Sequence, residues 1–127
     1  MSKWKKLSYE RQKMLHHSAM MHVAKEGKAK GVLNFDDDHL TCPNYATFTV
    51  NVGAGVTGTA TVKSHGNENW ASVVLDLGTV FVESFISIVD GRFKINWPFW
   101  KVYSRGGIPD AIVEMALKPI TMDEVLA

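Results

Sequence analysis

The spacing of apolar positions changes once along the chain, from a helical period at the start to a strand-like alternation afterwards. Residues 8 to 26 carry Met14, Leu15, Ala19, Met20 or Met21 and Val23 at three- and four-residue steps, with Leu7 just ahead. That spacing predicts an amphipathic helix. Ser8 suits its N-cap, and Glu10 falls in the first turn, where a carboxylate is favoured. Gly27 is the expected stop, because no Gly or Pro precedes it in the segment. Arg11, Lys13, His16, His17 and Lys25 lie mostly off the stripe. Residues 27 to 45 have no regular pattern: Gly27, Gly31, Asn34, residues 36–38, Pro43 and Asn44 interrupt it. Val32, Leu33, Phe35 and Leu40 are the apolar positions that can pin this connector to a body.

Alternation then takes over. Thr47 to Val52 places Phe48, Val50 and Val52 on one side and Thr47, Thr49 and Asn51 on the other. A turn at Gly53-Ala54-Gly55 leads into a Thr- and Val-rich run from Val56 to Lys63, and residues 64–69 form a polar turn. Strands are expected at about 70–76, 79–89 and 92–97. The last two meet at Asp90-Gly91, a strong hairpin signal between apolar alternations. Phe93, Ile95 and Trp97 share one face, with Arg92, Lys94 and Asn96 opposite. Residues 110–117 fit either a strand or a short helix. Pro119 ends them, and Thr121 with Asp123 and Glu124 can start a further helical turn. The expected class is α+β: an N-terminal helix packed on, or swapped across, an antiparallel sheet of about five or six strands.

Composition adds limits. At 127 residues the chain fits one domain, and 46% hydrophobic with 21% charged residues is ordinary globular usage. Cys42 is the single cysteine, so no disulfide framework forms within the chain. With no signal-peptide pattern and no long apolar run, a cytoplasmic location is expected. The net charge of +1 hides an asymmetry. Residues 1–30 hold eight Lys or Arg against two Glu, and residues 31–127 hold six against eleven acids. A basic arm (1–30), an acidic connector (31–45) and a β body (46–127) follow. Such an arm suits a polyanion, or else pairs with the acidic body of its own or another subunit.

One resemblance covers about residues 56–125. Ala71-Ser72-Val73-Val74-Leu75-Asp76, Phe81-Val82, Ile86, Ile88, Asp90-Gly91, Phe93, Ile95, Trp97-Pro98 and Lys101 follow one another in an order that resembles the SpoVG (stage V sporulation protein G) family. Pro119-Ile120 suits that family's later Pro-Ile. The resemblance implies a bacterial DNA- and RNA-binding regulator that forms a homodimer with paired strands. Three departures stand out. Phe99-Trp100 replaces the family's basic run after the Pro, the chain ends where the family's long C-terminal helix barely begins, and the helix at 8–26 has no counterpart.

The densest candidate chemistry is the group Arg92, Lys94, Trp97, Phe99, Trp100, Lys101, Tyr103 and Arg105. Single-stranded nucleic acid is held by bases stacked on aromatic faces within a positive groove. Trp97, Trp100 and Tyr103 are the expected stacking residues. Lys3, Lys5, Lys6, Arg11 and Lys13 of the arm, with Arg92, Lys94, Lys101 and Arg105, are the expected phosphate contacts. The other reading of the same aromatics is a core or an oligomer interface, which makes the chain a protein-interaction or assembly module. A small-ligand-binding β protein is a more distant option. Trp4 sits among the arm's lysines, either as a contact or within a solubilising end. His16, His17, His22, residues 36–38, His39 and Cys42 have no metal-site spacing, so neither a metal nor a cofactor is expected. Gly53 to Gly58 matches G-x-G-x-x-G without a following helix, and no catalytic residues are expected. A membrane-surface role for the arm is disfavoured, because its stripe is rich in Met and Ala.

Overall fold

A computed structural model describes residue 4 and residues 7–36, 39–53, 55–65, 69–89 and 92–127, with the backbone alone at residues 36, 89 and 96–99. The expected α+β class is present. Helix α1 (Tyr9–Ala29) is followed by a short hairpin, β1 (Asn34–Asp36) and β2 (His39–Thr41). A five-stranded antiparallel meander comes next: β3 (Ala46–Gly53), β4 (Val56–Ser64), β5 (Trp70–Asp76), β6 (Val80–Val89) and β7 (Arg92–Ser104). Helices α2 (Asp110–Leu117) and α3 (Met122–Leu126) close the chain. The Asp90-Gly91 turn lies outside the described residues, but Val89 pairs with Arg92 across it, the register of a two-residue hairpin loop.

Helix α1 begins as its sequence predicts, with the Ser8 hydroxyl accepting from the Arg11 N–H at 3.3 Å. Its end differs from expectation, because the helix runs through Gly27 to Ala29. Gly31 (φ 72°) takes the left-handed position that ends it. The Val32 N–H bonds to the Gly27 carbonyl and the Gly31 N–H to the Lys28 carbonyl, the paired bonds of a Schellman stop. Gly27 serves close packing instead. A Cβ there would meet Leu33 Cδ1 at 2.5 Å and Phe48 Cζ at 3.1 Å.

The stripe read from sequence is too narrow. Leu15, Ala19, Met20, Met21 and Val23 are buried, but so are His16, Ser18 and Ala24, while Met14 is partly exposed. The cause is that α1 is covered twice, by the sheet on one side and by α2 and α3 on the other. Ser18 fits that sandwich because its hydroxyl donates to the Met115 carbonyl of α2 at 2.6 Å. Each fully buried Leu, Met or Val side chain adds on the order of 2 kcal/mol. The 110–117 segment resolves as helix, burying Ile112, Val113, Met115 and Ala116. Thr121 caps α3 by accepting from the Glu124 N–H at 3.2 Å.

The connector carries the β1–β2 hairpin, and its Leu33 and Leu40 enter the main core. Trp4 is also buried in that core, so it is a packing residue rather than a contact on a free arm. Its carbonyl accepts from the Ile108 N–H at 3.0 Å. Strand β7 runs past Pro98 to Ser104, well beyond the expected end at 97. No helix among the described residues is long and apolar enough to cross a membrane.

Candidate nucleic-acid interface

The period-two alternation gives the sheet two unlike faces. The inner face carries Val50, Val62, Val73, Val82 and Ile86 toward the helices. The opposite face can be read directly from the register. One row crosses all five strands as Thr47, Thr61, Val74, Glu83 and Lys101. The next runs Thr49, Thr59, Asp76, Phe81 and Tyr103. Lys63, Ser72 and Phe85 make a third row, and Trp70, Ser87 and Lys94 a fourth. The β3–β4 half is therefore threonine-rich, and the β5–β7 half is aromatic and basic.

Two ring groups stand on the second half. His65 stacks on Trp70 with centroids 3.8 Å apart, and Phe85 stands edge-on to Trp70 at 5.0 Å. At the other end the Arg105 guanidinium lies 5.4 Å from the Phe81 ring centre, beside Tyr103, which is 47% exposed. Lys63, Arg92, Lys94, Lys101 and Arg105 are all exposed, against the carboxylates of Asp76 and Glu83. Asp76 is engaged in its own turn, accepting from the Gly78 N–H at 2.8 Å.

Strand β7 carries a wide bulge. Glu83 pairs with Lys101 and Phe85 with Asn96, so residues 97–100 stand opposite Ser84 alone. An extra loop of this kind bends the strand and re-aims its side chains. It turns Trp100 into the interior, where the ring stacks on His16 at 4.9 Å and an interplanar angle of 13°. Ser84 joins the pair, its hydroxyl 2.5 Å from His16 Nε2. Burial, with the neighbouring His17 adding to it, lowers the His16 pKa to about 4. The bulge also opens a hollow of about 510 Å³, lined on the open face by Ser72, Val74, Glu83, Phe85 and Lys101, with Ser84 and Trp100 behind them.

The structure divides the expected site residues. By register Lys94, Lys101, Tyr103, Arg92 and Arg105 share the open face, and Lys94 also borders the hollow on the helical side. Arg11 and Lys13 belong to the helical side: Arg11 lies over the Trp4 ring at 5.3 Å, and Lys13 borders a separate hollow of about 730 Å³ between α1, β7 and α2–α3. That hollow is walled largely by apolar groups such as Met14, Phe93, Leu117 and Met122. Trp100 is 9% exposed, with one ring face stacked on His16 and Tyr9 close by, and it borders the hollow only from behind, so the expectation that it offers an open face for stacking bases is corrected. Lys3, Lys5, Lys6 and the side chains of Trp97 and Phe99 lie outside the described residues. Trp70, Phe81, Phe85, Lys63 and Glu83 were missed by the sequence reading. A signal for Phe81 and Phe85 was present, since they share strand parity with Glu83 and Ser87 while Val80, Val82 and Ile86 take the other. Among the described residues no group of three or more His, Cys, Asp or Glu side chains converges. No protein-family model, curated protein or solved structure matches the chain.

Proposed function

We propose that the open face of the sheet binds single-stranded DNA or RNA without catalysis, in keeping with the regulatory role that the SpoVG resemblance implies. The observation that carries this reading is the half-face of β5–β7, where the exposed ring of Tyr103 and the half-buried ring of Phe85 stand among the exposed Lys63, Lys94, Lys101, Arg92 and Arg105. Single strands are held by such a combination, at roughly 1–3 kcal/mol per stacked base with salt-sensitive phosphate contacts. Tyr103 is the leading stacking residue, because Trp70 already carries His65 on one face and Phe81 carries Arg105.

The test is fluorescence anisotropy of a labelled single-stranded oligonucleotide over a salt series. The expected result is binding that weakens as salt rises. Tyr103→Ala and Phe85→Ala each weaken it about tenfold without altering the fold, and Lys101→Ala flattens the salt slope by about 0.7. Absence of binding by the wild-type protein at low salt overturns the proposal.

A further inference from the structure

We infer that the hollow at the β7 bulge receives one base turned out of the stacked strand, and that Glu83 and Lys101 select guanine there. This rests on the open face being the nucleic-acid surface. The starting point is the presence of Glu83. A carboxylate on a surface that meets phosphates is repelled unless it faces hydrogen-bond donors. Asp76 has such a donor in the Gly78 N–H. Glu83 has no comparable structural task, and among the described residues no ion pair joins it to Lys101, although the register sets the two side by side.

The hollow supplies the rest. The bulge interrupts an otherwise flat face with about 510 Å³ of space, within the range of small-molecule sites. Phe85 and Val74 give it apolar walls that suit the two faces of a ring, and Val74 is unusually exposed for its type at 38%. Glu83, Lys101 and Ser72 supply the polar groups. Guanine is the only common base whose pairing edge offers two adjacent N–H donors, N1–H and the N2 amino group, next to a carbonyl acceptor, O6. A carboxylate takes both donors at once, as in other forked pairs, and an ammonium beside it donates to O6. Adenine and cytosine give the carboxylate one amino group, and uracil or thymine one ring N–H.

The test compares oligothymidine strands that carry one central guanine, hypoxanthine or adenine, read by anisotropy on the wild-type protein and on Glu83→Gln. Hypoxanthine keeps O6 and N1–H but lacks the N2 amino group. The expected result is roughly tenfold tighter binding of the guanine strand than of the adenine strand, with hypoxanthine between them. Glu83→Gln removes the preference while plain oligothymidine still binds. Glu83 is exposed, and an unchanged melting curve shows that the variant is folded. Equal binding of the three strands, or a guanine preference that survives Glu83→Gln, overturns the inference and leaves the open-face reading standing. No binding of any strand, plain oligothymidine included, overturns both.

Discussion

Gly27 shows how one side chain's absence sets the helix–sheet distance. In an exposed helix, replacing Gly by Ala gains about 1 kcal/mol of propensity. Here the new Cβ would sit 2.5 Å from Leu33 Cδ1 and 2.7 Å from its Cγ. Leu33 is fully buried, so it has no solvent side to move into. The overpacking cost, typically about 1–3 kcal/mol, outweighs the gain. Gly27→Ala is therefore expected to lower the urea midpoint of unfolding, and a rise would show that Leu33 can repack. Sequence spacing makes Gly27 a stop, because a glycine used for close approach and one used to end a helix look alike until the neighbour is known. Trp100 had two readings, base stacking or a place in the core or an interface, and its burial agrees with the second. Sequence spacing did not decide between them, because the parity of Phe93 and Ile95 cannot be carried across a bulge whose length is unknown.

Helix α1 differs from a surface helix in what it buries, and its histidines turn that into a pH dependence. His16 is 2% exposed, is stacked on Trp100, and has its pKa lowered to about 4 by burial and the adjacent His17. Burial also lowers His17, and it lowers His22 with help from Lys25 against the opposing effects of Glu26 and Glu124. In the unfolded chain these groups protonate near the ordinary histidine value of 6.5. Because the folded value lies lower, the unfolded state takes up protons first as pH falls. Stability from His16 is full above about pH 6.5, falls between there and pH 4, and loses nothing further below. The shift corresponds to at most about 3 kcal/mol. Urea unfolding at pH 7 and pH 4.5 should show this loss, and His16→Gln should flatten the profile even if that variant is less stable throughout. A wild-type profile level across that interval would contradict a neutral, buried His16. The starts of α1 and α3 and the strands β3 to β6 were readable, because capping residues and alternation are local, whereas the ends of α1 and β7 were not. The burial of His16 was not readable, since it depends on Ser84 of β6 and on Trp100, which the β7 bulge turns inward against it.

The whole molecule sets an aromatic and basic half-face of the sheet, with Asp76 and Glu83 among it, against an apolar, helix-covered interior. The basic arm at the N-terminus left two readings open in the sequence, a contact with nucleic acid or a pairing with the acidic body. The salt dependence of binding separates the two. Trp4 is held in the core, and its carbonyl accepts from Ile108, three residues beyond Arg105 at the Tyr103 end of the open face. Lys3, Lys5 and Lys6 flank that anchor in sequence. Each phosphate contact on a single strand adds about 0.7 to the slope of log affinity against log salt. Replacing Lys3, Lys5 and Lys6 together by Gln is expected to reduce that slope by about 2, while Tyr103→Ala lowers affinity with the slope unchanged. Measured together, these variants separate phosphate contact from stacking on one surface. A triple variant that retains the wild-type slope would assign the arm to protein contacts and leave Lys63, Lys94, Lys101, Arg92 and Arg105 as the phosphate-binding set.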